Sequence, residues 1–340
     1  MDWKTELMNI WELVRSWEIL KETVFQKLIT YYLPPTSSLL QFKDLSGLYV
    51  IVTGSTSGIG LHTAKEFAMA GAHVVMACRN VKAAKELASI WKEEAHNGRV
   101  LNIEVMELDL ISFSSVRSFA DQWKQREVPL HILINNAGLC NLEDGQKFTY
   151  GGIEQHIHVN HVATALLTLL LLPSLLRTPS SRIINVNSVG HHCGVVEPQY
   201  WNSKMEDKRF NCVRAYGSSK LAHIMFLKVL ASKLSDQHKA SIQCIAVHPG
   251  AVCTNLNGGT KQKLFFMFDA DQGARSTIYC ATSDSVAENL IKGFAYYSCS
   301  CKPGKLSPQA EDVDTCLEVW QKTMAILELK EDYLSEVLDS

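Results

Sequence analysis

From Gly47 onward the chain alternates short apolar runs with longer amphipathic stretches. Tyr49–Val52, His73–Ala77, Asn102–Glu107, Leu130–Ile134, Arg182–Val186 and Ser241–Val247 are short enough and apolar enough to be buried strands. Helical periodicity falls between them, near 59–70, 82–96, 113–126, 151–177 and 214–235. Strands alternating with helices of this length predict an α/β fold with a parallel sheet and helices on both faces. No repeat or low-complexity linker interrupts residues 47–330, which predicts one domain there, with 331–340 as a C-terminal tail.

Residues 1–46 carry a different pattern. Trp3, Leu7, Ile10, Val14, Trp17, Val24 and Leu28 fall three or four apart or multiples of it, which predicts one apolar helical stripe ended by Pro34-Pro35. Asp2, Lys4, Glu6, Glu12, Arg15, Glu18, Lys21 and Glu22 break up any run of the roughly 20 apolar residues needed to cross a bilayer. An acidic start without a continuous apolar core also does not fit a cleaved signal peptide. Two readings stand for residues 1–33. The helix packs on the body of the protein or a sister subunit, or it makes peripheral contact with a membrane interface, where tryptophan is favoured.

Composition narrows the classes. Apolar residues form 46% of the 340, enough for a large core. A net charge of −2 excludes a broad basic face for nucleic acid. Ten scattered cysteines, several inside apolar runs as at Cys78 and Cys244, show no disulfide framework. They place the chain in a reducing compartment: cytoplasmic, not secreted, and on the cytosolic face of an intracellular membrane if the N-terminal helix binds lipid. His191-His192-Cys193 has metal-binding residue types, but a polar loop is the better reading.

Candidate chemistry begins after the first strand, at Thr53-Gly54-Ser55-Thr56-Ser57-Gly58-Ile59-Gly60. Gly54, Gly58 and Gly60 suit a tight turn, close approach of backbone to a pyrophosphate, and a helix lying near the strand. The free N–H groups and positive dipole of the following helix then face the anion, with Ser55, Ser57 and Ile59 around it. At the end of the second strand, Ala77-Cys78-Arg79-Asn80 lacks the acid that accepts from ribose hydroxyls in NAD sites. Arg79 can pair with a 2′-phosphate instead, which favours NADP(H). Asp109-Leu110 and Asn136-Ala137-Gly138 end the third and fourth strands, where ligands bind in such sheets.

Asn187-Ser188 ends the fifth strand. Tyr216 and Lys220 lie four apart, on one helical face. A lysine ammonium one turn away is expected to lower the phenol pKa, so that Tyr216 exchanges a proton with a carbonyl or alcohol oxygen. Ser188 would hydrogen-bond that oxygen. The Tyr/Lys pair alone would equally fit an ordinary amphipathic helix; the nucleotide turn upstream decides between them.

With Thr53 to Gly60, Asp109, Asn135 to Gly138, Ser188, Tyr216, Lys220 and His248-Pro249-Gly250 in this order, the chain resembles the short-chain dehydrogenase/reductase family over about residues 47–330. The resemblance implies a single doubly wound Rossmann-type domain with a parallel seven-stranded sheet flanked by helices. It adds Asn160 as a fourth catalytic residue in a proton relay, and Pro249, Val252 and Thr254 beside the nicotinamide. Lys220 would also hold the nicotinamide ribose. Dimers are common in the family, so a homodimer is one expectation. The Ser188–Tyr216 gap, Asp271 to Ala274, and Leu317 to Trp320 look like the retinol-dehydrogenase-like and WW-domain-oxidoreductase-like branch. Ile183 to Ser188 and the N-terminal segment are most similar to its forever-young-type reductases. Asn160-His161-Val162-Ala163-Thr164 departs from that branch's usual glycine-and-aromatic ending.

These features predict an NADPH-dependent oxidoreductase interconverting a carbonyl and an alcohol. A nucleotide-binding regulatory or scaffold protein with vestigial chemistry is the alternative. The loop 189–213 and residues 254–270 would form the pocket, capped by the apolar cluster Leu264 to Phe268 within Lys261 to Phe268, which suits a small lipophilic substrate such as a retinoid, steroid or long-chain aldehyde. The same cluster would equally serve to cover the core or meet a membrane.

Overall fold

The computed structural model describes residues 17–41, 43–95, 100–141, 145–206, 210–237, 242–254, 256, 264–330 and 332–339. Trp3, Leu7, Ile10, Val14 and the start of the 261–268 segment lie outside them.

Branched apolar side chains alternate between two core layers. Ile51, Val75 and Ala77 face one layer, while Val50, Val52, Val74 and Met76 face the other. The strands that carry them are β1 Tyr49–Thr53, β2 His73–Cys78, β3 Ile103–Glu107, β4 Ile132–Asn135, β5 Ser181–Val186, β6 Ile242–Val247 and β7 Phe294–Tyr297. They form one parallel seven-stranded sheet in the order β3-β2-β1-β4-β5-β6-β7. This is the expected doubly wound arrangement. The order reverses between β1 and β4, which opens a crevice at the carboxyl ends of those strands. Apolar runs alone locate six of the strands. β7 holds only Phe-Ala-Tyr-Tyr and gains its place by pairing with Cys244–Val247 of β6.

On one face lie α2 Gly58–Met69, α3 Val81–Glu94 and α7 Ala270–Thr282, which contribute Phe67, Trp91 and Ile278 to the core. On the other lie α4 Phe113–Lys124, α5 Gln155–Leu175 and α6 Cys212–Gln237, backed by α8 Val313–Ile326. Helix α5 has a mean hydropathy of 1.4, and its length and composition would suit a membrane span, yet 94% of that apolar window is buried inside the protein. It is apolar all round because it is enclosed all round. His161, the departure noted above, is fully buried on α5, where its Nε2 meets Thr323 Oγ1 of α8 at 2.7 Å. The stretch expected as a tail carries α9 Tyr333–Asp339, which docks through Leu334 and Leu338.

The N-terminal segment differs from the expected single stripe. Residues 17–23 are helical, the helix breaks at Val24–Phe25, and a short α1 follows at Gln26–Ile29, before Pro34. Its buried side is polar: Glu18, Glu22, Gln26 and Thr30. Trp17 and Leu28, expected on the packing stripe, are 58% and 70% exposed. Burying carboxylates and an amide requires partners, and the segment finds them in Lys21, Lys305, Ala251 and Phe266.

Candidate active site

The glycine turn is built by its neighbours. Gly54 lies at φ +67°, and a Cβ there would fall 2.9 Å from Ala137 Cα. A Cβ at Gly60 would fall 2.3 Å from Asn136 Nδ2 and 2.5 Å from Gly54 O. The Asn136 amide donates to Thr53 O at 2.9 Å, and Thr53 Oγ1 accepts from the N–H groups of Asn136 and Ala137 at 3.0 and 2.9 Å. Asn136 therefore braces the turn through both its side-chain amide and its backbone N–H.

Helix α2 begins after Ser57, whose exposed side chain forms no cap hydrogen bond. The first-turn N–H groups, including those of Gly58 and Ile59, are thus free of a side-chain cap, as an anion site requires. Ser55 differs: its hydroxyl is enclosed and has no hydrogen-bond partner, so it does not open onto the same surface. Arg79 is exposed at the end of β2, with no ion pair or hydrogen bond to the other described residues. Asn80 caps α3, accepting from Ala83 N at 3.0 Å. Asp109 accepts from Ile111 N through one oxygen only. The Leu110 side chain belongs to the core. Opposite the turn, a Cβ on Gly58 would meet Thr254 Cγ2 at 3.2 Å, and one on Gly273 would meet Val252 and Ile59. Thr254 therefore packs against the glycine turn, and Val252 beside it against Gly273 of α7.

The second group gathers at the ends of β4 and β5. A Cβ built on Gly138 would lie 3.4 Å from both Asn160 Oδ1 and Lys220 Nζ. One built on Gly190 would lie 3.2 Å from Ser188 Oγ and 3.5 Å from the Tyr216 ring. Lys220 Nζ donates to Val186 O at 3.0 Å and stands 5.9 Å from the centre of the Tyr216 ring. Asn160 sits in a π-helical turn, His158–Val162, of the kind often found at functional sites. Its amide is fully engaged: Oδ1 accepts from Leu139 N at 2.6 Å, and Nδ2 donates to Leu139 O and Ser219 Oγ at 2.8 and 2.9 Å.

Electrostatics correct one expectation. Crowding around the Tyr216 hydroxyl pushes the phenol up, opposed by the neighbouring Ser188 hydroxyl. The Lys220 ammonium does not dominate as its spacing suggested, because burial pushes the lysine itself down to about 8. Desolvation disfavours a charge on either group. Tyr216 thus holds its proton at neutral pH.

Several contributors carry no local motif. His248 Nδ1 accepts from Val189 N at 3.0 Å and so fixes the loop after Ser188. His191, in the segment considered for metal, donates from Nδ1 to Ser188 O and accepts at Nε2 from Ser307 N. A buried pair, Glu154 and His156, joined at 2.7 Å, packs edge-on to Tyr216 while His156 Nε2 accepts from Asn141 N. Only the folded chain joins Glu154 and His156 to Tyr216, about 60 residues on.

Residues 48–264 match the family model for short chain dehydrogenases. The chain is 40% identical to the dehydrogenase/reductase SDR family member FEY of Arabidopsis thaliana, over 99% of this chain and 93% of that one. It is 35% identical to human retinol dehydrogenase 12, over 84% and 88% of the two chains. It is 36% identical to human WW domain-containing oxidoreductase, over 83% and 68%. The crystal structure of an uncharacterised Mycobacterium paratuberculosis protein superposes with a TM-score of 0.67 at 30% identity, covering 85% of this chain and 96% of that one. A short chain dehydrogenase from Escherichia coli, solved with NADPH, shares the fold at a TM-score of 0.59 and 22% identity, over 75% and 98%. A crevice at the strand switch, a glycine turn opening α2, and a serine, tyrosine and lysine gathered beside it coincide with these matches: the chain belongs to the short-chain dehydrogenase/reductase family of oxidoreductases.

Proposed function

We propose that the protein is an NADPH-dependent reductase that converts a lipophilic aldehyde or ketone to the alcohol. The observation that carries this reading is the convergence of Ser188 and Tyr216 beside Gly190 with Lys220 beside Gly138, together with an uncapped helix start and an Arg79 that has no partner among the described residues. Bound NADPH would supply the hydride. The exposed Ser57, the first-turn amides of α2 and Arg79 would hold its phosphates, with the Arg79 guanidinium selecting the 2′-phosphate.

Tyr216 holds a proton at its hydroxyl, and a raised pKa keeps that proton available for a substrate oxygen that gains negative charge. Ser188 Oγ already accepts from Gly190 N at 3.0 Å, which leaves its own O–H to bond the same oxygen. Lys220 sets a buried cation next to the phenol, held in place by Val186 O. Asn160 positions Leu139 and the Tyr216 helix. Removing the phenolic proton donor should remove the chemistry and leave the binding. Tyr216→Phe is expected to lower kcat for NADPH-driven reduction of a retinoid or long-chain aldehyde by at least about a hundredfold, with NADPH affinity unchanged. Unaltered turnover in that variant would disprove the mechanism.

The lipophilic character of the substrate is supported by Leu264 and Phe265, 51% and 84% exposed, and by relatives named for retinol. Lys27 Nζ donates to Phe265 O and brings the outer face of the N-terminal segment alongside. Trp17, Leu28, Tyr31 and Tyr32 are exposed there, an aromatic and aliphatic surface suited to the headgroup region of a bilayer. We read the protein as working at the cytosolic face of an intracellular membrane, into which such a substrate partitions. Flotation with phospholipid vesicles should carry the wild type, and Trp17→Ser/Leu28→Ser should remain in the dense fraction. Equal flotation of both would contradict this.

A further inference from the structure

We propose that Gln26, in the N-terminal segment, is a positioning residue for the coenzyme: it clamps the strand-end segment 248–254 against the glycine turn. The inference rests on the reading of 249–254 as the nicotinamide side of the site.

Gln26 is fully buried, and its amide is matched atom for atom. Oε1 accepts from Ala251 N at 2.7 Å. Nε2 donates to Ala251 O and to Phe266 O, both at 2.8 Å. Among the described residues, the acceptor for Ala251 N–H is therefore a side chain 225 residues earlier in the chain. Ala251 O also accepts from Phe268 N, and Cys253 N donates to Phe268 O, so the glutamine closes one end of a short ladder joining 251–253 to 266–268. The approach is close enough to dictate a glycine. Gly250 lies at φ +94°, and a Cβ there would fall 2.5 Å from Gln26 Oε1 and 2.8 Å from the Phe268 ring.

One turn earlier, Glu22 O accepts from His248 Nε2 at 3.4 Å, while His248 Nδ1 accepts from Val189 N. This needs neutral imidazole protonated on Nε2, and burial holds His248 down to about 4. The N-terminal segment, from both sides of its break at Val24–Phe25, thus braces the segment after β6 and, through His248, the loop that carries Ser188. On the inner side of the clamped segment, Val252 and Thr254 press on Gly273 and Gly58. A loosened Ala251 would let that wall of the crevice move, and coenzyme binding would have to order it again.

The test uses the full chain with Gln26→Leu, the isosteric Gln26→Glu, and Thr36→Ala as a control. Thr36 Oγ1 donates to Asp271 O at 2.7 Å, a second tether of the N-terminal segment, made to α7 and not to 248–254 or 266–268. In Gln26→Leu, the NADPH dissociation constant and KM should rise about tenfold, kcat should change less than about threefold, and the Ala251 amide should exchange at least about tenfold faster. Gln26→Glu keeps the acceptor for Ala251 N but loses both donors. It should fall between wild type and Gln26→Leu, and it covers the case in which the leucine variant fails to fold. Thr36→Ala should lower Tm and leave the NADPH dissociation constant within about twofold. Unchanged NADPH affinity in both folded Gln26 variants would overturn the clamp alone, as would an equal loss in Thr36→Ala. A wild type that binds no NADPH would overturn the reading of the site and the coenzyme role of Gln26 with it, whatever the Ala251 exchange.

Discussion

The two halves of the crevice treat their polar groups in opposite ways. On the catalytic side nearly every group is already bonded to protein: Asn160 to Leu139 and Ser219, Asn187 to Lys220 O, Lys220 to Val186 O, and His191 to Ser188 O. On the side proposed for the coenzyme, Arg79 has no partner among the described residues, Ser57 leaves its helix uncapped, and Asp109 uses one oxygen. The first half has its hydrogen bonds made before any ligand arrives, which is what general acid chemistry demands of the supports of a proton donor. The second leaves charge and N–H groups open to water, to be satisfied by a charged ligand. A polar group without a protein partner is thus informative about binding, and one with every partner is informative about geometry.

Three measurements can break or sharpen that contrast. The largest effect belongs to the prebonded half. Asn160→Ala removes three hydrogen bonds and leaves Leu139 N–H and C=O unmatched, so urea unfolding should show a loss of about 2–3 kcal/mol. A loss under about 0.5 kcal/mol would show that this half is not preorganised by its hydrogen bonds. On the open half, Arg79→Ala should weaken NADPH binding about tenfold or more, leave NADH binding as it was, and change unfolding free energy by less than about 0.5 kcal/mol. Equal loss for both coenzymes would remove the phosphate role.

The third measurement is pH. Burial brings Lys220 down to about 8, and the proposed mechanism uses its charged form in reduction. As pH rises through about 8, kcat for reduction should therefore fall, approaching tenfold per unit. Stability moves the other way. The unfolded lysine keeps its proton up to about 10.4, so between these values the unfolded state binds more protons and unfolding free energy rises with pH. Lys220→Arg should abolish the kinetic limb; a limb unmoved in that variant would assign it to another group.

A second contrast, between α5 and the N-terminal segment, shows how much of the architecture local pattern carries. Both were expected to be helical from the periodicity of their apolar residues. In α5 the reading needs no partner, because a helix apolar on every side has one place to go. In the N-terminal segment the stripe at Trp17 and Leu28 turned outward, and Glu18, Glu22 and Gln26 turned in. Amphipathicity states that two faces differ. It does not state which face meets the protein when the body offers carbonyls, amides and lysines at the docking site. β7 is the corresponding case in the sheet: four residues without alternation, assigned only by the strand beside them.

What the sequence determined by itself is the alternation of strands and helices, the glycine turn, the missing acid at Arg79, and the Tyr216–Lys220 spacing. All are local, set by backbone sterics, helical period and side-chain chemistry within a few residues. What only the tertiary structure decided is which polar groups are consumed by the protein: Asn136 and Asn160 as braces, Tyr216 kept protonated by crowding, and Gln26 bonded to Ala251 across the chain. Hydrogen bonding and desolvation depend on neighbours in space, and sequence separation does not limit them.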